Sequence, residues 1–381
     1  MSKEQQPVVL QVLPELNQGG VEQGTVQIAE YLQQKGIKNF VASCEGRWVY
    51  RLDKAKVKHF NLPLKTKNYF KMKSNTKALE KIIKENGINI VHARSRAPAW
   101  SAYWAAKNTG VKYVTTFHGT YGLGPMGIKK FYNKVMTYGQ NVIAVSNHIK
   151  NHILGNYKKT DPNKIVMIHR CVDVNKFAPD SISQERIIKF VREYNLPEDK
   201  PIILTIGRLT RWKGQHLVID AAAKIKNQDF HCVFLGDDQG RSHYTDELKE
   251  AIKKKGLEGR FTFISHTEDV PALMMISSII VAPSTDPEAF GRMTAEGQAM
   301  GKIVVASNIG GSLEIVKDKE TGCFFESGNS ESLSKALDWA LNLGKDQKEA
   351  ISKASIKNVH ENFTCDLMCE KTFNLYKSLL K

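Results

Sequence analysis

Two carboxylates eight positions apart, Glu288 and Glu296, bracket the segment Phe290-Gly291-Arg292-Met293 in the last third of the chain. The apolar run Ile279-Ile280-Val281-Ala282 ahead of them reads as a buried strand. A Pro/Ser/Asp loop follows, and a helical pattern then runs to Gly301. On that reading Glu288 lies in the loop before the helix, and Glu296 lies about one turn inside it. The N–H groups of residues 290–293 then stand at a helix N-terminus, where unsatisfied donors suit a phosphate. An anion cradle with a carboxylate on each side is what a sugar diphosphate with free hydroxyls requires. Arg208 and Lys213 flank another loop, after the apolar run Pro201-Ile202-Ile203-Leu204-Thr205-Ile206-Gly207. Arg offers a planar fork and Lys a point charge, so the two can converge on one diphosphate.

The first half supplies fewer such groups. Val8 to Leu13 reads as a strand, Gly19-Gly20 as a turn, and Val21 to Gln34 as a helix, which again places backbone N–H groups where a phosphate fits. His118 stands at the end of the strand pattern Tyr113-Val114-Thr115-Thr116-Phe117, the edge at which parallel α/β sheets bind ligands. Residues 122–127 match G-x-G-x-x-G, but no acid follows until Asp161 and Pro125 interrupts the loop. A dinucleotide fingerprint needs that acid about 20 residues on for the ribose, so this match is set aside.

These residues are positioned by an alternation of strand and helix patterns that runs through both halves. It predicts an α/β chain of two doubly wound parallel-sheet, Rossmann-like domains. The division expected is 1–178, with Asp173 to Pro179 as linker, then 179–360, and a C-terminal helix in 361–381 that packs back across the linker. At 381 residues the chain has the length for two ordinary domains. Six cysteines without a CxxC pair argue for reduced thiols rather than a disulfide frame or zinc site. No apolar stretch approaches the ~20 residues of a membrane span, and no signal peptide is visible. G-x-x-x-x-G-K-[ST], H-E-x-x-H and G-x-S-x-G are all missing, which leaves P-loop, zincin and serine-hydrolase readings without support.

The charge is lopsided. Residues 1–178 carry 28 Lys/Arg against 10 Asp/Glu, a net +18, whereas the remainder carries 27 against 29, a net −2. No acid lies between Glu85 and Asp161. The first half therefore faces an anionic partner on this reading. Within it, residues 64–84 interleave lysines with Tyr69, Phe70 and Met72, the pattern of an interfacial contact with an anionic membrane.

Taken together, the chain resembles a retaining glycosyltransferase of family 4, with the GT-B fold and the lipopolysaccharide and envelope-glycan branch as its nearest type. The resemblance rests on Glu288-x7-Glu296, Gly207-Arg208 with Lys213-Gly214, Gly19-Gly20, His118-Gly119 and Gly310-Gly311 with Glu314, in the expected order. It implies two domains facing across a cleft, no cofactor and no metal, and a cytoplasmic enzyme peripheral on the inner face of the membrane. It implies that Arg208 and Lys213 bind the donor diphosphate, helped by the Arg292-Met293 amides and the Gly19-Gly20 loop. Glu296 would hold the ribose, Glu288 with the Phe290-Gly291 backbone the donor sugar, and Thr267 with its neighbours His266 and Asp269 the base. His118 would approach the reacting sugar. The partners implied are a nucleotide-sugar donor, a UDP-sugar by preference, and an anionic glycolipid or glycan acceptor. No nucleic acid is expected. The chain departs from the family where Ile168-His169-Arg170-Cys171-Val172-Asp173 replaces a Pro-Asn-Gly-Val-Asp run. The competing readings are an epimerase or phosphorylase on the same plan and a non-catalytic binder of nucleic acid or lipid.

Overall fold

Short runs of β-branched and aliphatic residues, separated by amphipathic helices, form two parallel sheets in the computed structural model, which describes residues 5–17, 19–226 and 229–381. The first sheet contains β1 (Val9–Glu15), β2 (Asn39–Cys44), β3 (Lys58–Asn61), β4 (Ile90–Ala93), β5 (Lys112–Phe117), β6 (Asn141–Ala144) and β7 (Ile165–Met167). Its order is β3-β2-β1-β4-β5-β6-β7, every pair parallel. The second contains β8 (Ile202–Ile206), β9 (His231–Leu235), β10 (Phe261–Ile264), β11 (Ile279–Ala282), β12 (Ile303–Ser307) and β13 (Cys323–Phe325), in the order β10-β9-β8-β11-β12-β13. Each order reverses once, between β1 and β4 and between β8 and β11. Open α/β sheets bind ligands outside the carboxyl ends of the strands at that switch.

The chain divides into two units, one ending at Arg170 and regaining Cys365–Lys381, the other spanning Cys171–Thr364. The segment Asp173 to Pro179, read from sequence as a linker, is part of the second unit, because Phe177 within it and Val172 just before it are buried in that unit's core. Val172 N donates to Phe363 O (2.8 Å), so the two segments that lead out of the second unit run side by side. The helix Cys365–Ser378 packs on the helix Gly20–Gln34, where Gln27 Nε2 donates to Cys365 Sγ (3.1 Å). Its Tyr376 is fully buried against β4, with its hydroxyl 2.6 Å from His92 Nδ1.

Strand cores follow the pattern expected of sheets covered on both faces. In β11 all four residues are buried, and β4 is likewise buried along its length. Sequence patterning did not reveal the short helix Val49–Lys54, the turn-and-helix region Pro125–Thr137 or the strand β13. Each is too brief to show a period. No helix among the described residues is long and apolar enough to cross a membrane.

Candidate functional site

The loops after β8, β11 and β12 meet in the second unit. Gly214 ends the turn Arg211–Lys213 with a left-handed φ of 76°, and a Cβ there would collide with Pro283 O. Thr285 N donates to Trp212 O (2.8 Å), which fastens the loop after β11 to the loop after β8. Gly310, at φ 63°, approaches the Glu288 backbone so closely that a Cβ would lie 2.7 Å from Glu288 O. Gly311 N donates to that same oxygen (2.8 Å). Three strand-end loops thus fix the position of Glu288.

Its side chain is half-buried rather than solvated. Lys213 Nζ donates to Glu288 Oε1 (2.7 Å), and Ser284 Oγ donates to the same atom (2.6 Å). An ammonium carries three donors, so Lys213 keeps others for an anion after serving Glu288. Its stem passes Gly207 and its head lies 4.6 Å from the centre of the Trp212 ring. Arg208 is exposed on the same loop, with no ion-pair partner among the described residues. Behind it the buried Gln215 Nε2 donates to Arg208 O (3.1 Å). Neither Gln215 nor Ser284 stood out in the sequence, because a lone Gln or Ser carries no spacing signal.

The helix Arg292–Ala299 begins after Gly291, which has a φ of 94°. Glu296 is buried, and its Oε1 accepts from Arg292 Nη2 (3.0 Å) one helical turn earlier. Ile206 N lies 3.1 Å from Met293 Sδ, which ties the helix start to β8. The Phe290 ring belongs to the core, packed edge-on to Phe363 with centroids 5.7 Å apart, so only its backbone is available to a ligand. Thr267 Oγ1 accepts from Asp269 N (3.1 Å). The Asp269 carboxylate is committed elsewhere: Arg186 grips both oxygens (2.9 and 2.6 Å), and Oδ1 caps the helix Val270–Ile276. That guanidinium holds the Asp269 carboxyl below the usual carboxylate range. His266 is exposed, and its carbonyl accepts from Tyr194 Oη (3.4 Å).

The first unit gathers a different set. Gly19 and Gly20 lead from β1 into the helix Gly20–Gln34, with Gln18 outside the described residues. The Arg170 guanidinium fills the space a Cβ on Gly20 would occupy, and buried Arg94 lies against Gly24. His118 shares this small pocket with Arg94, Arg170 and Thr116. Both of its ring nitrogens are buried with no hydrogen-bond partner. Burial, followed by Arg94 and Arg170, drives its pKa well below the ordinary histidine value, so the imidazole is neutral. A buried polar ring left unpartnered calls for a ligand or water. Arg170 was visible in the sequence as a departure from the family's run.

Comparison with known proteins accounts for both units. The model described as Glycosyltransferase Family 4 matches residues 18–176, and that described as Glycosyl transferases group 1 matches residues 187–357. The crystal structure of a glycosyltransferase from Rickettsia africae ESF-5 is 40% identical, covers 99% of both chains and has a TM-score of 0.91. Anabaena Alr3699/HepE, in complex with UDP and glucose, has a TM-score of 0.83 at 20% identity, over 98% of this chain and 100% of that one. WaaG, a glycosyltransferase involved in lipopolysaccharide biosynthesis, has a TM-score of 0.74 at 16% identity, over 97% and 99%. The two parallel-sheet units and these neighbours establish the GT-B fold.

Proposed function

The chain belongs to the family 4 type of glycosyltransferases, and we propose that it moves a hexose from a nucleotide sugar to an anionic lipid-linked or envelope glycan, such as lipopolysaccharide core, with retention of configuration. The observation that carries the reading is the junction of Arg208, Lys213 and Glu288 at the switch point of the second sheet, with Lys213 and Glu288 2.7 Å apart. Arg208 and Lys213 receive the diphosphate and offset the charge that builds on it as the glycosidic bond breaks. Fixed donors aimed at developing charge are worth several kcal/mol in a partly dry site. The amides of Arg292 and Met293 add donors at a helix start. Glu288, held by Lys213 and Ser284, accepts from the sugar hydroxyls together with the Phe290-Gly291 backbone. Glu296 accepts from the ribose, and the Thr267 segment borders the base.

His118, neutral and without a partner, has a nitrogen to offer the transferring sugar, and the Gly19-Gly20 turn offers N–H groups to the phosphates. In this scheme the leaving phosphate accepts the acceptor's proton, no protein general base is assigned, and the two cations do the work a metal would do. A UDP-sugar is the favoured donor, in keeping with the UDP-bound Anabaena neighbour. The basic first half and the fold likeness to WaaG favour an anionic envelope acceptor at the inner face of the membrane.

The test is transfer from UDP-hexoses to truncated lipopolysaccharide, with the product anomer read by NMR. Retained configuration, with Glu288→Ala and Arg208→Ala each lowering turnover by about 10²–10³, is expected. Full activity in both variants would overturn the site assignment.

A further inference from the structure

In the second unit, at the strand ends opposite the donor loops, a cavity of about 650 Å³ opens where β8, β11 and β12 begin. The four residues of β11 put about 13 Å of strand between this cavity and the loop that bears Glu288. Met275 and Leu341 give it an apolar lining, and the helix Lys345–Asn362 contributes Lys348, Glu349 and Ser352. That helix is held close. Gly301, left-handed at φ 64°, has no room for a Cβ beside Ser352 Oγ.

Lys302, in the turn between the helix Arg292–Ala299 and β12, belongs to this lining. Its Nζ donates to Met275 O (2.6 Å), one of the carbonyls that the helix Val270–Ile276 leaves open at its C-terminus. A helix end favours an ammonium there. No carboxylate pairs with Lys302 among the described residues, however, and burial brings its pKa down to about 8. At pH 8 about half of this amine is then uncharged, against about one part in 250 for an ordinary lysine. A neutral amine has two N–H groups and one lone pair. One N–H serves Met275, and the lone pair is left for the cavity.

The charged groups of the lining are Lys302, Lys348 and Glu349. Lys348 is exposed and has no ion-pair partner among the described residues. Glu349 Oε1 pairs instead with Lys353 Nζ (2.6 Å), one turn along the same helix. A lysine whose one duty was to cap a helix end would need no cavity of this size beside it. An uncharged amine within and an ammonium at the exposed side match a small molecule that joins an electrophilic carbon to an anion.

We infer that Lys302 is an acylation site and that its reagent is a small acyl phosphate, whose phosphoryl group Lys348 receives. The Lys302 nitrogen attacks the acyl carbon, and a C–N bond forms. The acyl C–O bond breaks, inorganic phosphate leaves with the electron pair, and the nitrogen gives one proton to water. The resulting amide keeps an N–H for Met275 O, so the helix contact survives while the charge is removed. The inference goes beyond the transferase reading, since no donor-site residue lines this cavity. It is read by labelling and not by turnover.

Labelling of the full chain with acetyl phosphate, followed by peptide mass spectrometry, tests it. At pH 8 Lys302 should label about tenfold faster than Lys249 and Lys253, exposed lysines of the helix Ser242–Lys254. Its rate should level off above about pH 8.5, whereas theirs climb toward about pH 10.4. Unfolding in urea should erase the lead, because burial produces it. Lys348→Gln, at an exposed position, should slow labelling of Lys302 by acetyl phosphate about fivefold. Labelling by N-acetylimidazole, which is neutral, should change by less than about twofold in that variant. Labelling of Lys302 no faster than that of Lys249 and Lys253 would overturn the inference. So would a lead that survives in urea, or a Lys348→Gln variant that fails to separate the two reagents.

Discussion

The two units share one sheet plan but differ in how they handle charge. In the second unit ionisable groups pair at short range: Lys213 with Glu288, Arg292 with Glu296, and, beyond β10, Arg186 with Asp269. Around β4 and β5 a neutral histidine sits among arginines, in a stretch that contains no acid from residue 86 to residue 160. The strand order sets where a ligand can bind; the loops decide what it will be. Paired charges in the second unit suit a ligand with both hydroxyls and phosphates. Concentrated cations in the first suit a partner that is itself anionic.

The strongest way to break this comparison is to remove one member of the second unit's central pair. Lys213→Ala should reduce turnover by about 10²–10³, because it both withdraws a cation from the diphosphate and releases Glu288. Steady-state kinetics on the purified variant checks it, and a loss below about threefold would separate the pair from the reaction.

Backbone approach offers the next largest effect. Gly310→Ala meets both a left-handed φ and the Glu288 backbone, and should cost about 1–3 kcal/mol while lowering activity. Gly256→Ala has a similar φ of 65° and open space around it, so about 1 kcal/mol is expected, with activity unchanged. Urea melts of the two variants measure the difference.

Acid should act through the first unit. His92 is fully buried between Tyr376 and Thr116, and burial followed by Arg94 drives its pKa well below 6.5. Below about pH 6.5 the unfolded chain takes up a proton that the folded chain refuses. Its contribution is therefore complete above that pH and is lost as pH falls, by up to about 1.4 kcal/mol per pH unit. His92→Gln should flatten that slope in denaturant melts between pH 7.5 and 5.5. The smallest effect belongs to Arg186→Met, since a partly exposed ion pair contributes about 1 kcal/mol or less.

Much of this was legible in the sequence because it is periodic. The apolar runs of β1, β5, β8 and β11 stand where patterning put them. Lys213 and Glu288, 75 positions apart, meet because each follows a strand of the switch pair. What stayed hidden depends on three-dimensional approach. Nothing local shows that Ser284 turns back onto Glu288, or that Gln215 holds the Arg208 carbonyl. The resemblance puts Asp269 beside the base, and nothing local shows that Arg186 holds its carboxylate from 83 positions away. The supposed linker has the composition of a loop, and only the burial of Val172 and Phe177 assigns it to the second core.

The most direct test of the account is calorimetric titration of the chain with UDP, GDP, ADP and CDP and their common sugars, followed by thermal shift. The account predicts one clear nucleotide-sugar ligand, weakened about tenfold or more in both Arg208→Ala and Glu296→Ala. Silence across the panel, or equal binding by both variants, would contradict it.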